Sequence, residues 1–233
     1  MIALRLLEPF LLCIGAHITT LYLYEAFYSS NHLIERAGGN ALSKLREYLS
    51  FSTKELALVS VFSSLWIVSQ LYLAPIIHHT IQVHGVVQRV VGWFFMLILA
   101  ELTGKFGRVT IMSVTSSMAT RIIRMGSVYS LFVGAGYALG GFIFDLLFSI
   151  LKRSGKLSSH YILFNSFLSG AVALLPYLLF KLSVLGFYGF TLWIPYYIYV
   201  AAKGILLTVA GTTLGLSILP KIKNSLHKQV TGK

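Results

Sequence analysis

Apolar stretches of bilayer-crossing length recur along this chain, and that recurrence constrains its fold more than any other feature. A spanning helix needs about 20 mostly apolar residues. Residues 6–28, 55–77, 160–181 and 192–219 meet that length clearly, and 88–103, 108–123 and 127–150 read as further, partly shorter spans. Helices satisfy their own backbone groups, so such runs predict an all-α, polytopic transmembrane bundle. Composition agrees: 56% of the 233 residues are hydrophobic and 11% charged. A soluble globule of this make-up would show water a large apolar surface. A soluble enzyme, a nucleic-acid binder and a disordered chain are therefore excluded as expectations.

The charge balance refines the class. Nineteen Lys and Arg stand against seven Asp and Glu. In a membrane bundle, basic residues hold loops on the cytoplasmic side. With the amino terminus outside, thirteen basic residues fall in inner segments and five (Arg5, Arg89, Arg121, Arg124, Lys181) in outer ones, with Lys203 inside the last helix. That predicts a multi-pass protein of the cell membrane with a cytoplasmic carboxyl terminus. Aromatic residues from Phe187 to Tyr199 crowd the outer end of the last helix, as an interfacial belt does. The first span follows a single basic residue, carries Glu8, His17 and Glu25, and has no small-x-small cleavage site; it reads as a retained helix. Cys13, the single cysteine, forms no intrachain disulfide.

Local signals mark several ends. Ser52 and Glu55 have capping-box spacing ahead of the second span. Pro195 falls in the opening turn of the last helix, and Pro220 marks its expected end. Between the first two spans, Leu42, Leu45, Tyr48 and Leu49 follow Gly38-Gly39-Asn40 at helical spacing and predict a surface-lying amphipathic segment. The expected organisation is an added helix and amphipathic segment over 1–50, a six-helix core over 51–222, and a basic cytoplasmic tail over 223–233.

Polar residues within the spans are the candidates for function. The stretch 75–89 is read as an outer loop holding His78, His79, Gln82, His84, Gln88 and Arg89. Its three histidines match no zinc spacing and have no cysteine or carboxylate beside them, so a polar lid is favoured over a metal site. Glu101 and Asp145 fall near inner helix ends, where Lys105 and Lys152 can satisfy them as structural ion pairs. Arg121 and Arg124 lie three apart near the outer surface, placed either to reach outward or to hold a ligand in a cavity. Lys203 is the most informative: at about 15 Å from the outer start of its helix, it is too deep to reach the surface easily. A polar cavity open to the outside explains it most simply. Small residues, Ala57, Ser60 and Ser64 in the second span and Gly134, Gly136, Gly140, Gly141, Gly204, Gly211 and Gly215 later, suit close helix packing or a docking face. The chain has no phosphate loop ending in Lys-Ser/Thr, no hydrolytic triad and few acids, so catalysis and a cofactor are not expected.

Four segments carry a resemblance: FSTKELALVSVFSSLWIVSQLYLAP at 51–75, GWFFMLILAELTGKFG at 92–107, VGAGYALGGFIFDLLFSILKR at 133–153, and KGILLTVAGTTLGLSILPKI at 203–222. Over residues 51–222 the chain resembles the substrate-binding S components of energy-coupling-factor (ECF) vitamin transporters, with the hydroxymethylpyrimidine/thiamine type nearest. The resemblance implies six helices, a ligand cavity near the extracellular face, and docking on a transmembrane T component driven by two ATPases. Its docking pattern falls on Ser60 and Ser64, with Ala57 beside them. Residues 1–50 have no counterpart in that core. Where the family type for a cationic ring carries acidic residues, this chain has Ser113, Thr120 and Arg121.

The resulting expectation is a membrane-embedded, non-catalytic binding subunit for a small vitamin or vitamin precursor. Trp93, Tyr196 and Tyr197 would stack on a ring, Arg121, Lys203 and Asn165 would supply polar contacts, and the loop carrying His84 would close the entrance. Two alternatives stay open: an intramembrane lipid-modifying enzyme using Glu101 or Asp145, and a structural membrane protein with Lys203 paired to one of those carboxylates.

Overall fold

In the computed structural model the described residues are 50–83, 85–124 and 126–231. The expected helix at 6–28, the amphipathic segment behind it and His84 lie outside them. The described chain is all-helical, with no strand. In order, α1 is Thr53–Ile81, α2 Val86–Thr103, α3 Arg108–Ile123, α4 Val128–Arg153, α5 Ser159–Val172, α6 Leu175–Leu192 and α7 Ile194–Thr231. Five stretches are long and apolar enough to cross a membrane: α1, α2, α4, the α5–α6 pair as Ser159–Leu192, and Ile194–Ile222 of α7.

Helix α1 opens on the capping box read from the sequence. Glu55 N–H donates to Ser52 Oγ at 3.2 Å, and Ser52 N–H donates back to Glu55 Oε2 at 3.0 Å. The helix does not stop at Pro75. A π-helical turn, Ser69–Leu73, shifts the hydrogen-bond register just before the proline, whose missing N–H then falls where the pattern is already changing. The helix therefore continues to Ile81. The stretch 75–89, expected as a polar loop, is helical up to Ile81 and again from Val86, with His78 and His79 in the last turn of α1 and Arg89 inside α2.

Helix α3 is 16 residues long and the most polar of the set, and the fold hides it. Ser113, Ser116, Ser117 and Thr120 are all buried; three bond back to carbonyls of their own helix, and Ser116 reaches Ser63 O at 3.3 Å. Helix α3 packs on α1 and α4; α5 packs on α4 and α7; α7 packs on α2, which returns to α1. These pairings close a ring of six helices, with α6 continuing α5 along α4. Trp66, Trp93, Met96, Met112 and Phe144 fill its middle. The expected proline stop is absent: α7 runs through exposed Pro220 to Thr231. One backbone bond is lost there, at a place where water can replace it.

The small residues pack inside this ring. A methyl at Gly211 would strike the backbone of Val90, one at Gly92 the indole of Trp66, and one at Gly141 the hydroxyl of Ser113. Outward faces carry exposed apolar side chains on several helices, among them Val61, Ile76, Phe164, Leu179 and Leu206. Phe187, Tyr188, Trp193 and Tyr199 are exposed around the α6–α7 turn, where Gly186, with φ of 66°, breaks α6 in a conformation that a side chain rarely adopts.

Candidate functional site

A cavity of about 440 Å³ opens at the end of the ring where the α1–α2, α3–α4 and α6–α7 connections gather. Part of its wall is the turn between two helices. Residues Ala173 and Leu174 separate α5 from α6, and both line the cavity. Their N–H groups still find acceptors, Ser169 O at 2.9 Å and Ala171 O at 3.1 Å. Gly136 of α4 sits against the carbonyl of Ala173, where a methyl would collide. Non-helical backbone deep in an apolar bundle is tolerated where protein buries it or a polar cavity meets it.

Tyr137 of α4 forms the floor and is 6% exposed. The guanidinium of Arg89 lies 5.6 Å from its ring centroid, and that of Arg121 lies 5.9 Å away. Each is within cation–π range of the same ring. Below, the Trp66 and Trp93 rings meet Tyr137 at 6.2 and 6.1 Å. Arg89 makes one long bond, to Thr208 Oγ1 at 3.4 Å, and no protein acceptor meets Arg121 Nε. Two glycines make room for these groups. A methyl at Gly204 would lie 2.8 Å from Arg89 Cζ, and one at Gly134 3.2 Å from Arg121 Cγ. Lys203 lines the α7 wall with its ammonium 5.4 Å from the Tyr199 ring centroid, and Tyr129, Tyr177 and Tyr196 line the cavity as well. Among the described residues no carboxylate lines it.

The opposite end of the bundle is built differently. The Arg108 side chain is fully buried, 4.0 Å over the Phe51 ring. It donates to Glu55 Oε2 at 2.7 Å, to Phe106 O at 2.7 Å and to the carbonyl of Ser50. Lys105 adds a 3.2 Å ion pair to the other oxygen of Glu55. Asp145, in α4, caps the start of α3. Its Oδ2 accepts from Gly107 N–H at 2.8 Å, Thr110 N–H at 3.0 Å and Thr110 Oγ1 at 2.9 Å. Asp145 thus satisfies helix donors at a positive dipole end.

The structure gathers part of the expected site. Arg121, Tyr196 and Lys203 line one cavity. Trp93 lies just beneath, wholly buried, donating to Ser169 Oγ at 2.9 Å. Tyr197 is buried against Phe190 at 4.7 Å, and Asn165 donates to Phe144 O at 2.9 Å; neither lines the cavity. Arg121 and Arg124 part company: Arg124 follows the end of α3, donates to the carbonyl of Gln70 and lines a neighbouring, mostly apolar cleft of about 710 Å³. Gly85 and Gln88 border both spaces. Of the expected docking residues, Ala57 is exposed, Ser64 half-buried and Ser60 buried. Among the described residues no group of three His, Cys, Asp or Glu side chains is placed to hold a metal.

Arg89 and Tyr137 are among the cavity residues not expected from the sequence, as are Tyr129 and Tyr177. The signal for Arg89 and Tyr137 was periodicity. Arg89, Trp93, Met96 and Ala100 share one face of α2, as Tyr137, Gly141, Phe144 and Phe148 do in α4, and every one of these but Arg89 is buried. No protein-family model, curated protein or solved structure matches this chain.

Proposed function

We propose that this chain is a membrane-embedded, non-catalytic substrate-binding subunit that takes up a small water-soluble vitamin or vitamin precursor, as an S component of an ECF-type transporter does. The observation that carries the proposal is the cavity. It is a hollow of about 440 Å³ at one end of a closed helix ring, with three basic side chains and four tyrosines on its walls. Ligand sites are concave, largely apolar and furnished with a few convergent polar groups, and this one fits that description. In this reading the cavity end faces outside and the amino terminus lies on the same side. Binding alone only shifts an equilibrium by its differential affinity, so uphill uptake requires a T component and two ATPases as partners. The α1 face around Ala57 and Ser64 is the proposed contact with the T component.

The enzyme alternative is weaker, because Asp145 is committed to the start of α3 through three hydrogen bonds. Pairing of Lys203 with Asp145 is disfavoured by the same bonds, which hold Asp145 at the opposite end of α4.

Two measurements test the proposal. Purified protein is heated across a panel of water-soluble vitamins and precursors, and at least one is expected to raise the unfolding temperature. Affinity-tagged chain is expected to retain a T component and ATPases from its own membranes. Absence of any shift together with absence of those partners overturns it.

A further inference from the structure

The cavity walls also select by charge. We infer that the ligand is an anion joined to a planar ring, an aryl or heteroaryl carboxylate or phosphate, held by Arg89, Arg121 and Lys203. The inference rests on the receptor reading above and deepens it.

Three observations converge. Among the described residues the cavity is lined by three cations and no carboxylate. The three described carboxylates, Glu55, Glu101 and Asp145, belong to the far end: Glu55 opens α1, Glu101 lies in the last turn of α2, and Asp145 caps α3. Gathering like charges between apolar helices is costly unless an opposite charge or water answers them.

The second observation is unused donor capacity. A guanidinium presents five N–H donors in a planar fork suited to carboxylate and phosphate oxygens. At the far end Arg108 uses both terminal nitrogens, donating to Glu55 and two carbonyls. In the cavity, Arg89 has only the 3.4 Å contact with Thr208, and Arg121 donates to no acceptor among the described residues.

The third is the floor. Tyr137 sits under both guanidiniums, and Tyr129, Tyr177 and Tyr196 stand around it. These rings offer faces for a planar ligand and hydroxyls at its edge. Gly134 and Gly204 leave the guanidiniums the space to lie there. A cationic ring such as thiamine's would meet repulsion from every basic wall, so the nearest family type is a poor guide to the ligand.

The test uses an isosteric set with the full-length chain in phosphatidylcholine nanodiscs: benzoate and phenyl phosphate as anions, benzamide as neutral, benzamidine as cation. Calorimetric titration is expected to show an anion binding at least ten-fold more tightly than benzamide, with no heat from benzamidine. Arg121→Gln and Lys203→Met are each expected to weaken that anion by roughly ten-fold or more, as loss of a charge-assisted hydrogen bond does. Arg121→Lys, which keeps the charge, guards against a folding defect and is expected to retain part of the affinity. If benzamide or benzamidine binds as tightly as the anions, the charge inference fails and the receptor reading stands. If phosphatidylglycerol added to the nanodisc is retained in an Arg121-dependent way and neither soluble anion binds, the site holds a lipid headgroup; the anion chemistry stands and the receptor reading fails. If no probe binds and no lipid is retained, the inference is overturned.

Discussion

The two ends of this helix ring treat positive charge in opposite ways. At one end Arg108 is sealed from solvent, its terminal nitrogens answered by a carboxylate at 2.7 Å and two carbonyls and its plane by the face of Phe51. At the other, Arg89, Arg121 and Lys203 are half-buried around a hollow that no carboxylate among the described residues lines. The first arrangement is stabilising because every charge has its complement in place; removing one member leaves an orphan. The second withholds the complement. Charge that is satisfied internally holds helices together, whereas charge left facing a cavity is available to something that arrives.

The comparison orders a set of mutations by size. Glu55→Ala leaves Arg108 buried beside carbonyls alone and is expected to cost about 3–5 kcal/mol in denaturant unfolding of the micelle-embedded protein. A loss under about 1 kcal/mol would mean that the carbonyls and Phe51 suffice. Asp145→Ala strips three donors at the head of α3 and is expected to cost about 2–3 kcal/mol, while Asp145→Asn, which keeps an accepting oxygen, costs less. Gly204→Ala at the cavity end pushes a methyl toward Arg89 Cζ. The far end of a flexible side chain can give way, so about 1 kcal/mol is expected, together with weakened benzoate binding. Arg121→Met and Lys203→Met are expected to change the stability of the empty protein least, within about 0.5 kcal/mol or slightly upward, because each removes one of several like charges. A large loss there would place a structural partner where the cavity walls show none, and the contrast between the ends would collapse.

Much of this architecture was legible in the amino-acid order. The six apolar stretches from 55 onward became helical, 160–181 as two helices parted at Ala173 and Leu174, and the Ser52–Glu55 capping box formed as its spacing required. Capping is local: four consecutive residues contain all the groups involved. Lys203 was legible as a cavity candidate because a lysine deep in an apolar stretch demands wet space, and Arg121 and Tyr196 line the same cavity. What stayed hidden depended on partners distant in the chain. Arg89 reads as a loop cation until the π turn at Ser69–Leu73 carries α1 through Pro75 and so shortens the connection. The split between Arg121 and Arg124 depends on where α3 ends, and Arg124 then turns to the carbonyl of Gln70, 54 residues away. The commitment of Asp145 to α3, rather than to Lys152, required the fold to bring α4 beside the Gly107 turn.

The floor of the cavity has an optical consequence. Tyr137 touches two buried indoles, Trp66 and Trp93, at 6.2 and 6.1 Å, while the third, Trp193, is 56% exposed at the α6–α7 turn. Two of the three tryptophans therefore lie directly beneath the place where a guest would rest. Occupancy should be readable from emission intensity and wavelength without attaching a dye, with Trp193 replaced by phenylalanine to remove the background glow.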